Sequence, residues 1–235
     1  MSEAPLKPNI TVSSYANWAA GAADIIGKDI SSAISCRGVC NVMLTGGNTA
    51  ERLYRQWSDS STLPLKHIRF FFGDERCVPP DHSDSNYALV MRTLLNKRKP
   101  AHGSIMRMEA ERYDRDAAAR EYEELLPGKI DVLLLGMGTD GHVASLFPFA
   151  SALQPTHRSV LPVIGPNPPR ERLTITPRII VSADSVYLLA TGEEKGKILA
   201  EAMKSPGDYL SLPVRLTLGG TWLLDDDAAY QLMQN

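Results

Sequence analysis

Apolar positions repeat along this chain in two ways, as short unbroken runs and as stripes at helical spacing, and the two alternate. Runs at residues 39–44, 68–72, 132–135, 172–175, 186–190 and 222–224 predict strands, several too continuously apolar to keep a face in water. Helical spacing over residues 13–34, 50–57, 86–95, 115–126 and 195–203 predicts the intervening helices. Trp18, Ala19, Ala22, Ile25, Ile26, Ile30 and Ile34 form the first stripe, which Gly21 and Gly27 weaken. Strand and helix in turn imply βαβ units and a parallel sheet covered on both sides. The start of the chain reads as a polar tail, residues 96–112 as a polar connection, and residues 145–149 as room for a short helix before Pro155. The proline-rich residues 160–169 read as an extended surface loop. No repeat, linker or low-complexity stretch divides the chain, so residues 1–235 are expected to form a single α/β domain, a doubly wound, mostly parallel sheet with helices on both faces.

Composition narrows the class. Hydrophobic residues make up 43% and charged residues 22%, ordinary proportions that argue against a disordered chain. No apolar run approaches the ~18 residues of a membrane span, and residues 1–9 lack the basic-then-apolar layout of a signal peptide, which predicts a cytoplasmic protein without a membrane partner. Three cysteines, Cys36, Cys40 and Cys77, cannot all pair with one another and show no metal-ligand spacing with histidine, so reduced thiols are expected. The net charge of −2 gives no global attraction to nucleic acid. An anionic ligand must therefore be caught by locally placed cations.

In open α/β sheets ligands gather beyond the carboxyl ends of the strands, so the strand exits are where chemistry is expected. After the first run comes Thr45-Gly46-Gly47-Asn48-Thr49, where two glycines expose backbone N–H groups ahead of a helix N-terminus. Without a following Lys-Ser or Lys-Thr it is no nucleotide P-loop, and a monophosphate suits it better. The same residues also make sense as a tight turn with Asn48 or Thr49 as helix cap. The second exit, Gly73-Asp74-Glu75-Arg76, offers two carboxylates and a guanidinium that can fix a polar substrate or satisfy one another as an ion-pair cluster. Nearby, Asp81, His82 and Asp84 read as turn and cap residues rather than metal ligands.

The third exit delivers Asp140, Gly141 and His142 beyond residues 132–135. Gly136, Gly138 and Gly141 satisfy the G-x-G-x-x-G spacing of dinucleotide sites, yet the acidic ribose partner expected about 20 positions on is missing, since no Asp or Glu lies between Gly141 and Arg170. His142 stands in a glycine-flanked loop where a bulky side chain has little packing purpose. With an unperturbed imidazole pKa near ~6.5 it suits proton transfer, and Asp140 suits orienting it. The fourth exit places Lys195 in a first helical turn, a poor position for a cation unless an anion joins it. Pairing of Lys195 or Lys197 with Glu194 or Glu201 along the helix explains it as well.

Taken together, Leu44-Thr-Gly-Gly-Asn-Thr49, Gly73-Asp-Glu-Arg-Cys-Val-Pro79 with Ser85-Asn86-Tyr87, Leu135-Gly-Met-Gly-Thr-Asp-Gly-His-Val-Ala-Ser-Leu-Phe-Pro148 and Arg172-Leu-Thr-Ile-Thr176 resemble, in that order, the 6-phosphogluconolactonases. The likeness continues through Gly192 and Lys195 to Leu224-Asp225 and so covers nearly the whole chain. Ala50 stands where the first motif often has proline, and Thr139 replaces a frequent acidic residue or proline. A related family of the same fold, the glucosamine-6-phosphate deaminases, would call for an acidic residue five positions after the motif histidine, where this chain has Phe147, and for Asp-Glu-Tyr rather than Asp-Glu-Arg.

The resemblance implies a Rossmann-like fold of the sugar-phosphate isomerase type and hydrolysis of a phosphorylated sugar lactone, with no cofactor and no metal. Implied catalytic residues are His142, Asp140 and Arg76. Implied substrate and phosphate contacts are Gly46, Gly47, Asn48, Thr49, Asp74, Arg172 and Lys195. The expected partner is the small-molecule lactone, with the chain acting as a monomer or weak homodimer. Two other readings stay open: an isomerising deaminase, and a sugar-phosphate-binding module without catalysis.

Overall fold

The computed structural model describes residues 6–101, 103–204 and 208–234; residues 1–5 of the expected tail and residue 102 of the expected connection lie outside them. Among the described residues the chain runs β1 (Asn9–Ser13), α1 (Trp18–Arg37), β2 (Cys40–Leu44), α2 (Asn48–Ser60), β3 (Ile68–Phe72), β4 (Asp74–Arg76), α3 (Asn86–Thr93) and α4 (Arg115–Leu125). It continues through β5 (Val132–Gly136), β6 (Val160–Ile164), β7 (Glu171–Ile175), α5 (Pro177–Ser182), β8 (Ser185–Ala190), α6 (Glu193–Lys204), β9 (Thr221–Asp225) and α7 (Asp226–Met233). A six-stranded sheet in the order β1-β9-β8-β5-β2-β3 has every pairing parallel, as the βαβ rhythm predicted.

The uninterrupted apolar runs have the expected cause. Successive side chains of a strand point to opposite faces, and in β5 Leu133 and Leu135 enter one core while Val132 and Leu134 enter the other. Helices α1, α2 and α3 cover the second of these cores, with Trp18, Ile26, Leu53, Trp57 and Val90 packed onto Phe70 and Phe72. Helices α4, α6 and α7 cover the other, against Leu135, Leu188, Trp222 and Leu224. Each fully buried Leu or Phe contributes roughly 1.5–3 kcal/mol of transfer free energy, so the sheet is anchored from both sides. The sequence order of strands reverses between β2 and β5, which opens a crevice at their carboxyl ends.

Several expectations need correction. The supposed loop at residues 160–169 contains β6, an edge strand that pairs antiparallel with β7. Pro162, which cannot donate to a ladder, is tolerated because β6 has a neighbour on one side alone. The strand at residues 172–175 forms, but in a separate antiparallel sheet of order β4-β7-β6 rather than in the parallel one. Asp74–Arg76 is not a plain loop but β4, with Arg76 opposite Arg172. Residues 145–149 form turns and no helix; Ala144 and Phe149 hold φ of 49° and 60°, a left-handed backbone that ends helical continuation. Part of the expected polar tail is β1, parallel to β9, and the connection at 96–112 runs beside β3 through Phe70 N to Ser104 O and Met106 N to Phe70 O hydrogen bonds. Helices α5 and α7 were not anticipated.

Candidate active site

Loops leaving β2 and β5 meet at the crevice and are tied together, the Gly136 N–H donating to Thr45 Oγ1 at 3.2 Å. With β4, β7 and the first turn of α6 they enclose a cavity of about 120 Å³. Gly46, Gly47, Asn48, Thr49, Asp74, Arg76, His142, Arg172 and Lys195 all line it. Asp140 stands behind His142 rather than in the wall. Thus residues spread over some 150 positions of sequence come together as expected.

The β2 exit is an open helix start. Gly47 occupies the cap of α2 at φ 94° and neither Asn48 nor Thr49 caps it, so no side chain satisfies the first-turn N–H groups. Free amides and the helix dipole make this end attractive to an anion. Gly46 is required for a different reason, since a Cβ there would lie 1.9 Å from Asn86 Oδ1. From the opposite rim α6 brings Lys195, whose Nζ donates to Thr49 Oγ1 at 3.4 Å. Burial pushes the Lys195 ammonium below its ordinary pKa, and Asp225 acts against that. Lys197, by contrast, pairs with Glu193 at 2.7 Å, and the pairing considered with Glu194 or Glu201 forms for neither lysine among the described residues.

β4 and β7 place two arginines side by side. Arg76 Nη1 donates to the Asp84 carbonyl at 2.6 Å, while its buried Nε has no acceptor among the described residues. Arg172 is 8% exposed, with Nε on the Pro169 carbonyl at 3.1 Å and its guanidinium 5.4 Å from the centre of the Phe147 ring. Burial lowers its pKa, and Asp74 counters that effect. No carboxylate lies within ion-pair distance of Arg76, Arg172 or Lys195 among the described residues. The ion-pair cluster considered for the β3 exit therefore does not form. Glu75 turns away instead, accepting from the N–H groups of Asn86 and Tyr87 (2.7 and 2.8 Å) and from Ser85 Oγ (3.1 Å) at the start of α3. Asp74 does face the cavity, with Ser145 Oγ donating to it at 2.6 Å and Asn86 Nδ2 at 3.1 Å.

His142 is fixed by its loop. Its Nδ1 lies 2.5 Å from Asp140 Oδ1, and its backbone N–H donates to the same oxygen. Partial burial raises the Asp140 pKa, but the hydrogen bonds and charge of His142 outweigh it and the net shift is downward, so the carboxylate is an acceptor. A neutral imidazole facing that acceptor carries its proton on Nδ1 and leaves the Nε2 lone pair available. The three glycines of the dinucleotide-like spacing serve this arrangement. A Cβ on Gly138 would lie 2.1 Å from His142 Cε1, Gly141 takes φ 79°, and Gly136 passes close to the Gly46 carbonyl. His142 also has a packing partner that was not anticipated, the Phe147 ring at 4.7 Å between centroids.

Thr45, Asn86 and Ala144 line the cavity too, and Ser145 holds Asp74 from behind. Thr45, Asn86 and Ser145 each have an ordinary capping or turn explanation as isolated polar residues, and Ala144 carries no functional group of its own. The signal that reaches them is their place inside the resembling segments. His82 keeps to a local turn, accepting from the Asp84 N–H, and no group of three or more metal-binding side chains occurs among the described residues. None of the described helices is long and apolar enough to cross a membrane.

Comparison with known proteins follows the same lines. Residues 13–223 match the family model described as glucosamine-6-phosphate isomerases/6-phosphogluconolactonase. A 6-phosphogluconolactonase of Mycobacterium tuberculosis is 36% identical over 221 residues, covering 86% of this chain and 89% of that protein. The solved 6-phosphogluconolactonase of Trypanosoma cruzi superposes with a TM-score of 0.85 at 27% identity, over 99% of both chains. A monomeric glucosamine-6-phosphate deaminase shares the fold, with a TM-score of 0.81 at 21% identity over 95% of this chain and 99% of that one.

Proposed function

Because the chain belongs to the family of glucosamine-6-phosphate isomerases and 6-phosphogluconolactonases, we propose that it hydrolyses 6-phosphogluconolactone with His142 as general base. It is a hydrolase of a cyclic ester, and the reaction is that of the pentose phosphate pathway. One observation carries the mechanistic reading: an oriented imidazole opens onto a cavity whose cations Arg76, Arg172 and Lys195 have no carboxylate within ion-pair distance among the described residues.

Water bound beside Nε2 gives up a proton to His142 as its oxygen attacks the lactone carbonyl carbon. The carbonyl oxygen becomes an oxyanion, for which the guanidinium of Arg76, which lines the cavity, is a suited donor. As the ester bond breaks, the imidazolium returns its proton to the departing ring oxygen, and Asp140 stabilises the charged intermediate state of the ring. The open start of α2 with Lys195 holds the 6-phosphate, and Arg172 stands ready for either phosphate or sugar oxygens. Binding energy from the remote phosphate then places the carbonyl over His142. Phe147, where a deaminase would carry an acidic residue, packs a tilted ring against the imidazole and supplies no second proton-transfer group.

Acid release from fresh 6-phosphogluconolactone is the direct assay. His142→Ala should lower kcat roughly 10²- to 10⁴-fold with the melting temperature preserved. Near-normal turnover in that variant removes the general-base role, and ammonia release from glucosamine 6-phosphate would overturn the choice of substrate.

A further inference from the structure

Asp225 is a fully buried carboxylate far from the reacting atoms, and its contacts lead to the phosphate end of the site. It closes β9 with 0% exposure. Its Oδ1 accepts from the Gly192 N–H at 2.9 Å and from the Ala228 N–H at 3.0 Å. The first bond fixes the turn that begins α6; the second caps α7. Its Oδ2 is buried without any hydrogen-bond partner among the described residues. A carboxylate oxygen left dry is costly unless a positive charge stands near it. Lys195 stands in the first turn of α6, three residues after the Gly192 that Asp225 holds; its ammonium lies beyond ion-pair distance of this carboxylate but within reach of its field.

We propose that Asp225 is a positioning residue for substrate phosphate: it anchors the α6 turn through Oδ1 and provides, through Oδ2, the counter-charge for the Lys195 ammonium. The inference rests on the assignment of Lys195 to the phosphate. Other charges around this ammonium are otherwise engaged or turned away. On α6, Glu193 pairs with Lys197 and Glu194 is exposed. On α7, Asp226 and Asp227 are exposed. From α2 the group facing Lys195 is the neutral Thr49 hydroxyl, itself 3.2 Å from Thr191 Oγ1. Arg76 and Arg172 line the same cavity. Burial tends to strip the proton from Lys195, and Asp225 is the one group that acts against this. Phosphate affinity should be lost as pH rises through the Lys195 titration, and removing the Asp225 charge should bring that loss to lower pH.

Asp225→Asn preserves an Oδ1 acceptor for both backbone N–H groups while deleting the charge. Binding of 6-phosphogluconate, the stable product, is to be measured by calorimetry from neutral to alkaline pH in wild type, Asp225→Asn and Lys195→Ala. The expected result is a binding curve displaced to lower pH in Asp225→Asn, about tenfold weaker at the alkaline end for each pKa unit of displacement, with KM for the lactone raised and kcat little changed. A merely structural role predicts a uniform loss at every pH together with a lower melting temperature. That outcome, or a curve superimposable on wild type, overturns the proposal. Should Asn not be accommodated, Asp225→Ser, another favoured cap residue, removes the same charge and gives the same reading. If Lys195→Ala binds 6-phosphogluconate as wild type does, the phosphate assignment itself fails. If Lys195→Ala loses binding while Asp225→Asn keeps the wild-type curve, the role of Asp225 alone is refuted.

Discussion

Arginines around α4 and lysine and arginines around the cavity are treated in opposite ways by the same fold. Arg158 is gripped by Glu123 at 2.7 Å and Asp116 at 3.1 Å, and Arg107 by Glu111 at 2.7 Å. Arg172 is buried and Arg76 and Lys195 are partly buried, yet none of the three meets a carboxylate within ion-pair distance among the described residues. Pairing in the first region spends its charge on stability, while leaving the second region unpaired costs desolvation that a bound anion can recover. The contrast separates cations that hold the fold from cations that hold a ligand.

Removing a cation on each side is the sharpest way to break that distinction, and the cavity should show the larger effect. Lys195→Ala should raise KM for the phosphorylated lactone roughly 10- to 100-fold, the equivalent of losing a charge-assisted contact of about 1.5–3 kcal/mol. Steady-state kinetics on the unphosphorylated lactone should show little change. The melting temperature should stay near the wild-type value, because relief from burying the ammonium is offset by the loss of the positive charge near the Asp225 carboxylate. Equal losses on both lactones would show that Lys195 serves the sugar or the fold and not the phosphate.

A carboxylate offers the same contrast at smaller scale. Asp140 serves the histidine, whereas Glu75, although it sits in the same Asp-Glu-Arg run as two cavity residues, serves α3. Burial raises the Glu75 pKa, with the Tyr87, Asn86 and Arg76 N–H groups opposing. Folded chains then bind its proton more tightly than unfolded ones, so its contribution favours folding on the acid side and is lost as pH rises from 4.5 through the raised value. Glu75→Gln should abolish that slope in denaturant titrations. It should also cost about 1–3 kcal/mol at neutral pH, since an amide NH₂ would face the Tyr87 N–H and the Ser85 hydroxyl. A variant with the wild-type slope would move the titrating group elsewhere.

Much of this division was readable before any coordinates. Buried parallel strands announce themselves as continuous apolar runs, and their exits put Gly46, Asp74, His142 and Lys195 at one rim by topology alone. What stayed hidden depends on pairing across long separations. β4 is three residues long and is a strand solely because β7 lies beside it, and β6 carries Pro162 that reads locally as loop. Those two facts conceal the second sheet, and with it the pairing of Arg76 beside Arg172. That Asp74 and not Glu75 faces the cavity was named by the resemblance alone, since adjacent strand residues point to opposite sides and the facing side is set by the register with β7.

The smallest effect belongs to the paired region. Arg158→Ala removes two ion pairs, but Glu123 keeps the N–H groups of Ser159 and Val160 as donors, so its carboxylate is not stranded. Both partners also reach solvent, which screens the pairs and limits their worth to about 1 kcal/mol. For a chain of this length that amounts to roughly 2–4 °C in melting temperature. Kinetic constants for both lactones should stay at wild-type values, because Glu123 and Asp116 lie on α4 and neither they nor Arg158 line the cavity. A rise in KM for the phosphorylated lactone comparable to that of Lys195→Ala would mean that long-range potential, rather than direct contact, draws the anion in. Repeating the measurement at high salt would decide it, since screening erases the long-range attraction of an exposed charge and leaves a contact inside the cavity largely intact.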